Sequence, residues 1–154
     1  MDLEKPIRKR ASKSIRKPRS PAYRSKFEST IGHQLECSRT DYKYEDPEGS
    51  IRYVIPEKTG RYLPDFIIRT RSGNSIVIEA KGLWTYEDRY KHLLIRQQHP
   101  DIDIRFVFQR SSNRISKGSK ISYKDICEGR GRGVWAGVTW PYSETTIPEE
   151  WLKE

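Results

Sequence analysis

The sequence predicts an α/β fold in which a mixed β-sheet is flanked by helices. Two apolar runs, 65–70 and 75–80, surround the polar turn 71–74 and predict an antiparallel hairpin. The second run is followed by a helical pattern and then by another apolar run, 103–108. A strand, a helix and a strand in that order predict a parallel pair with a right-handed connection. A sheet with both kinds of pairing needs helices to cover its faces.

The first predicted element is an amphipathic helix in the segment YRSKFESTIGHQLE. Its apolar residues Phe27, Ile31 and Leu35 recur every four positions and therefore share one face. Ser25 followed three residues later by Glu28 matches a capping box, which predicts where this helix begins.

The middle of the chain predicts short strands and a second helix. The segment 41–56 contains two short β patterns that are interrupted by 47–49. A helix follows the hairpin, because Thr85 is a typical N-cap and Pro100 ends the helical pattern. The residues of this helix that we expect to face inward are Tyr90, Leu93 and Leu94.

The last third of the chain shows weaker patterns. Residues 111–120 form a loop rich in Ser, Lys and Arg, and Ser122 predicts the cap of a short helix that runs through Glu128. We expect the remainder to be irregular, with its tryptophans packed against the core: Trp135, Trp140 and Trp151.

Composition favours one globular domain in a reducing compartment. The 154 residues are 34% hydrophobic and 33% charged, and they contain no apolar run of membrane-spanning length and no secretory signal. Cys37 and Cys127 are far apart in the sequence, so we expect reduced thiols in a cytosolic protein. The three histidines lack the spacing of a zinc site.

The net charge of +9 is concentrated at the N-terminus. Residues 1–26 hold ten Lys or Arg side chains against Asp2 and Glu4, and the prolines in 1–22 discourage a helix. We therefore predict a flexible basic arm, 1–22, followed by one ordered domain, 23–154. An arm of this kind gains by releasing counterions on nucleic acid. The alternatives are a solubilising tail or one that binds acidic lipid or protein.

The predicted hairpin places charged residues where a buried strand would not need them. If it folds about Ser72, Asp65 lies opposite Glu79, and two carboxylates at that distance repel each other. A divalent cation such as Mg²⁺ would relieve the repulsion. Lys81 points to the same face as Glu79 and could orient a water molecule or offset negative charge. The alternative to a metal site is that Asp65 is a turn residue at the start of its strand and that Glu79 and Lys81 form an exposed ion pair.

One short motif and several longer segments of this chain resemble those of known proteins, and the longer segments are the more specific. The pattern PD…EAK resembles the PD-(D/E)xK nuclease superfamily. The segments YRSKFE, YLPDF, EAKGLW, DRYKHLLIRQQHPDIDIRFVF and IPEEWLKE resemble the phage endonuclease I family of four-way junction resolvases. The resemblance extends from about Tyr23 to the C-terminus.

The resemblance implies a fold, a reaction and a site. The fold would be restriction-endonuclease-like, in an intertwined, domain-swapped homodimer bridged by 41–56. The reaction would be Mg²⁺- or Mn²⁺-dependent hydrolysis of branched double-stranded DNA in the cytoplasm of a phage host. The catalytic residues would be Glu28, Asp65, Glu79 and Lys81. Two metal ions would be held by Glu28, Asp65, Glu79 and the backbone carbonyl of Ala80, with Glu28 supplied by the partner chain. From the residues alone, a helix cap is sufficient to explain Glu28 and is the favoured interpretation.

Further basic residues are predicted to contact DNA. On the second helix, Lys91, His92 and Arg96 either face DNA or are simply solvated, and Lys117 lies in the basic loop. The contacts predicted for the arm and the following turn are Arg8, Lys9, Arg10, Lys13, Arg16, Lys17, Arg19 and Arg24.

Two other functions remain open from the sequence. One is a different PD-(D/E)xK nuclease, such as a transposase-associated or mismatch-nicking enzyme. The other is a non-catalytic architectural DNA-binding protein.

Overall fold

The computed structural model describes residues 21–55 and 57–154. The helices are α1 (Lys26–Cys37), α2 (Tyr86–Gln98), α3 (Tyr123–Cys127) and α4 (Glu149–Lys153). The strands are β1 (Tyr42–Tyr44), β2 (Ile51–Ile55), β3 (Lys58–Tyr62), β4 (Phe66–Arg69), β5 (Ser75–Lys81), β6 (Asp103–Phe108), β7 (Glu128–Arg130), β8 (Ala136–Thr139) and β9 (Tyr142–Glu144). Almost all of the predicted arm, 1–22, lies outside the described residues.

The central sheet confirms the predicted mixture of strand directions. Among the described residues its strand order is β1-β4-β5-β6-β9. β4 pairs antiparallel with β1 and β5, and β6 pairs parallel with β5 and β9. Phe66 lies opposite Ile78 and Ile67 opposite Val77, which is the predicted hairpin register. The α/β class is therefore correct.

Alternating side chains of the sheet build a core on each face. Ile76 and Ile78 pack with Ile31 and Leu35 of α1 on one face. The intervening strand positions point to the other face, which α2 covers. Glu79 therefore points to the α2 face, whereas Glu28 comes from the helix on the opposite face.

The predicted helix starts are confirmed by their caps. The side chains of Ser25, Thr85 and Ser122 each accept a hydrogen bond from the third residue of the helix that follows. The segment 41–56 forms β1 and β2, with a 3₁₀ turn at Pro47–Gly49 between them.

The prediction that the C-terminal region is irregular is wrong. β7 and β8 form a small antiparallel sheet, β9 extends the central sheet, and α4 ends the fold. β3, which pairs with β2, is a further strand that the sequence patterns do not predict. These elements have three to five residues each, too few for a periodic pattern, and pairing with distant strands stabilises them.

Other expectations are met at single residues. Trp135, Trp140 and Trp151 are buried, and both cysteines are free thiols. None of the helices in the described part of the chain is long and apolar enough to span a bilayer.

Candidate active site

The end of the hairpin brings Asp65 and Glu79 together as predicted. Asp65 precedes β4, and its backbone N–H is 3.4 Å from Oε1 of Glu79. In return, the N–H of Ala80 donates to Oδ2 of Asp65 at 3.0 Å. The hairpin positions both side chains, because its register places the residue before β4 beside the end of β5.

Lys81 lies on the same face of β5 as Glu79. Its Nζ is 2.8 Å from Oε2 of Glu79, and both side chains are largely shielded from solvent. A buried ammonium next to a buried carboxylate compensates part of the cost of removing each charge from water. The predicted alternative of an exposed ion pair on a solvated edge is therefore wrong.

Glu28 faces the same cleft from the first turn of α1. Its backbone N–H donates to the Ser25 hydroxyl at 3.1 Å, so the serine half of the predicted cap is present. Its carboxylate accepts hydrogen bonds from the Ser25 hydroxyl at 2.9 Å and from the hydroxyl of Tyr44. These two contacts hold the Glu28 carboxylate at the mouth of the cleft.

The four predicted catalytic residues line one cleft of about 480 Å³, and all four come from the same chain. Lys91 and Gln109 also line it, and the exposed side chain of Leu83 lies at its rim. The residues of the predicted site that line the cleft are Glu28, Asp65, Glu79, Ala80 and Lys81.

The electrostatics of the cleft are uneven. Burial, and then the nearby Glu79 carboxylate, raise the pKa of Asp65 to about 7. Burial alone would also raise the pKa of Glu79, but the Lys81 ammonium and the contact with His92 lower it below its usual range. Burial opposes the charge of Lys81, yet Glu79 and Asp65 raise its pKa. Near neutral pH, Asp65 is therefore the carboxyl group that a cation would help to ionise.

The donor set fits a divalent cation in its chemistry. Within residues 21–55 and 57–154, no three His, Cys, Asp or Glu side chains converge closely enough to hold a metal as they stand. Two adjacent carboxylates are present, however, and among the described residues Oδ1 of Asp65 accepts no hydrogen bond. Oxygen ligands of this kind suit Mg²⁺ and Mn²⁺. Glu28 lines the same cleft and is a third carboxylate that could serve such a cation.

Two buried residues that sequence reasoning did not assign to the site contact Glu79. The hydroxyl of Tyr62 donates to Oε1 of Glu79. His92 was predicted to face DNA or solvent, and that prediction is wrong. Its side chain is fully buried, and Nε2 lies 3.4 Å from Oε2 of Glu79. No local pattern could have shown this, because both contacts depend on tertiary packing.

The other predicted DNA-contacting residues lie on the surface or outside the described chain. Arg24 pairs with Glu45, Lys91 pairs with Asp88 at 3.3 Å, and Arg96 lies over the ring of Trp140. Lys117 is exposed in its loop. The arm residues that lie outside the described range are Arg8, Lys9, Arg10, Lys13, Arg16, Lys17 and Arg19.

Comparison with known proteins gives consistent matches. The model of the phage endonuclease I family matches residues 8–154. Endonuclease I of Escherichia phage T7 is 42% identical over 143 residues, which cover 93% of this chain and 85% of the relative. Endodeoxyribonuclease 1 of Enterobacteria phage T3 is 47% identical over 110 residues, which cover 71% of this chain and 68% of the relative.

Proposed function

This chain belongs to the phage endonuclease I family, and on that premise we propose that it is a divalent-metal-dependent endonuclease that resolves four-way and other branched DNA junctions. The names of the two relatives support a deoxyribonuclease. The proposal includes junction selectivity, metal dependence and a homodimer. It also includes the restriction-endonuclease-like core and action in the host cytoplasm.

The observation that carries the proposal is the pair of opposed carboxylates beside Lys81. Asp65 and Glu79 are brought together at the end of a buried hairpin, where burial, and then repulsion by the Glu79 carboxylate, raise the pKa of Asp65. Protein stability gains nothing from this arrangement. A reaction that needs a cation next to a phosphate does gain from it.

The proposed cofactor is Mg²⁺ or Mn²⁺, with two ions in each site. When bound, these ions would supply Lewis acidity and lower the pKa of a coordinated water. The proposed ligands are Glu28, Asp65, Glu79 and the backbone carbonyl of Ala80.

The chain's own groups bind and orient the reactants. In the metal-free site, Glu79 and Asp65 raise the pKa of Lys81 against the effect of burial, so its Nζ is a positive charge beside the two carboxylates. It orients the attacking water and offsets the negative charge that develops on the phosphate. In-line attack of the water oxygen on phosphorus breaks the bond to O3′, which leaves a 5′-phosphate and a 3′-hydroxyl.

DNA selectivity is proposed to come from shape rather than base sequence. Lys91 lines the cleft, and Arg24, Arg96 and Lys117 are exposed cations that suit phosphate contacts. Phosphate contacts position a protein on DNA without reading bases. The arm would add non-specific affinity that depends on salt.

The proposed homodimer would present two cleavage sites to one junction. α1 contacts the sheet through Ile31 and Leu35, so an α1 exchanged from a second copy could make the same contacts and supply Glu28 to the same cleft. Two sites acting together would convert a supercoiled plasmid with an extruded inverted repeat directly to linear product. Sites acting singly would first accumulate nicked circles.

The test compares a synthetic four-way junction with a linear duplex of the same sequence, in Mg²⁺, in Ca²⁺ and in chelator. We expect cleavage of the junction in Mg²⁺ only. Glu79→Ala should lose at least about 10³-fold in cleavage rate while still binding the junction, because it removes a group used in the transition state.

Glu150→Ala is the matched control, because Glu150 is exposed on α4 and its substitution removes the same charge. Full Mg²⁺-dependent activity of Glu79→Ala would refute the mechanism. Equal cleavage of the linear duplex would refute junction selectivity.

A further inference from the structure

Glu79 is held on both of its oxygens by buried groups. Tyr62 donates to Oε1, whereas Lys81 lies 2.8 Å from Oε2 and His92 lies 3.4 Å from the same oxygen. Tyr62 is buried but lines the inner wall of the cleft, whereas His92 is fully buried and does not line it. Through His92, Glu79 therefore contacts a group in the interior of the protein that a DNA substrate would not reach.

The hydrogen bond to Trp84 determines which nitrogen of His92 carries the proton. Nε1 of Trp84 lies 3.1 Å from Nδ1 of His92. An indole N–H can only donate, so Nδ1 must be the acceptor. The ring is therefore neutral, with its proton on Nε2, the nitrogen that faces Glu79.

Aromatic packing fixes the plane of the His92 ring. It meets the rings of Tyr62 and Phe106 edge to face, with centroids 5.6 and 5.0 Å apart. Trp84 is itself anchored, because its backbone N–H donates to the Tyr123 hydroxyl and its carbonyl accepts from Arg89. The imidazole is thus held from behind by core residues.

The Nε2 proton has no good acceptor in this conformation. Among the described residues Nε2 makes no hydrogen bond of acceptable geometry, and the separation of 3.4 Å from Glu79 is longer than a typical bond. A buried N–H without a partner costs free energy, so a small rotation of the Glu79 carboxylate toward it would be favourable.

We propose that His92 is a positioning residue for the nuclease site: its Nε2–H binds Oε2 of Glu79 and fixes the orientation in which that carboxylate serves as a ligand. The inference rests on the proposed function and adds a residue to it. Groups that orient metal ligands in this way typically contribute about 10–100-fold to metal affinity or activity. The competing explanation is a core histidine whose only role is packing.

Two amide substitutions separate these explanations. His92→Gln can place an N–H donor near the position of Nε2, whereas His92→Asn can place an acceptor near Nδ1 for Trp84 but does not reach Glu79. The readouts are Mn²⁺ affinity by titration calorimetry, kcat and KM on a four-way junction, and the thermal midpoint in chelator.

We expect His92→Asn to weaken Mn²⁺ binding and lower kcat by about 10–100-fold, with KM unchanged, and His92→Gln to stay within about threefold of the wild type. Equal losses in the two variants, or no loss in either, would overturn the inference, since a packing role predicts effects that follow the thermal midpoint alone.

A measurement on the wild-type protein covers the case in which the variants do not fold. Long-range proton–nitrogen correlation spectra should show His92 with its proton on Nε2 and a bare Nδ1, and the Nε2 signal should shift when Mg²⁺ is added. A proton on Nδ1, or signals insensitive to Mg²⁺ in a protein that binds it, would refute the role. A wild-type protein that cuts no DNA would refute the proposed function, whereas an active wild type with unimpaired variants would refute only this inference.

Discussion

At the scale of single residues, Asp65 combines burial with a like-charged neighbour. Its pKa of about 7 in the folded chain exceeds its ordinary value of 3.8. Between these pH values the folded protein retains a proton that the unfolded chain releases, so the metal-free protein should lose stability as the pH rises from about 4 to 7. The lowered pKa of Glu79 acts in the opposite direction, but only below its ordinary value of 4.5.

Asp65→Asn should remove this penalty. The amide can keep the hydrogen bond from the Ala80 N–H while it removes the charge. In chelator at pH 7 we expect the free energy of unfolding to rise by on the order of 1 kcal/mol. The dependence of stability on pH between 5 and 7 should flatten at the same time, as measured by urea denaturation.

Asp101→Asn serves as the control for Asp65→Asn, because Asp101 is an exposed carboxylate in a turn. It should leave the pH dependence of the wild type unchanged. If Asp65→Asn kept the wild-type slope between pH 5 and 7, the electrostatic description of the cleft would be incorrect.

At the scale of elements, α1 matters because it carries Glu28 to the cleft. Gly32 lies where the helix meets Tyr23, and a Cβ atom added there would overlap the Tyr23 hydroxyl. Tyr23 in turn bonds the Tyr42 hydroxyl at 2.6 Å and packs edge to face on Tyr44. The glycine therefore allows α1 to lie close to the chain segment that precedes it and to β1.

Gly32→Ala should destabilise the protein even though alanine is the better helix former. Overpacking typically costs about 1–3 kcal/mol, which exceeds the gain in helix propensity of about 1 kcal/mol. Cleavage should fall as well, because a displaced α1 moves Glu28. Denaturation in urea and cleavage of a four-way junction measure the two effects.

Ser29→Ala on the exposed side of α1 is the comparison for Gly32→Ala. It tests helix propensity without the steric clash and should be neutral or stabilising by up to about 0.5 kcal/mol. A stabilised Gly32→Ala variant would show that the close contact with Tyr23 is not required.

At the scale of the whole molecule, charge is distributed unequally along the chain. The N-terminal segment holds most of the net charge of +9, whereas the remaining chain is close to neutral. A near-neutral domain that carries a basic N-terminal segment is suited to binding a polyanion first by charge and then by shape. The exposed Arg24, at the start of the described residues, continues the basic character of the arm.

Deletion of residues 2–19 should weaken junction binding and reduce its dependence on salt. The slope of log affinity against log salt should decrease in magnitude by about 0.9 for each phosphate that the arm no longer neutralises. Titration of a fluorescent junction at several salt concentrations measures this slope. An arm of the same length and charge in scrambled order should restore it, and an unchanged slope after deletion would remove the arm from the interface.

Much of the architecture follows from local sequence patterns. Two apolar runs around a polar turn centred near Ser72 predicted the hairpin register, and the strand–helix–strand order predicted the parallel pair of β5 and β6. Ser25, Thr85 and Ser122 marked the helix starts correctly. These features depend on residues that are neighbours in sequence, so short-range physics determines them. Local sequence also predicts that Asp65 lies opposite Glu79, because a short turn connects the two strands of the hairpin.

Tertiary packing decided the features that local sequence patterns did not predict. β9 forms because it pairs with the edge of β6. Its three residues are too few to show a periodic pattern in the sequence. His92 lies next to the polar Lys91 on α2, yet the packing of that helix on β5 buries it against Glu79, thirteen positions earlier in the chain. The sequence by itself determined which groups could perform the chemistry. The tertiary structure decided which buried groups hold them in place, because such contacts form only when separate elements pack together.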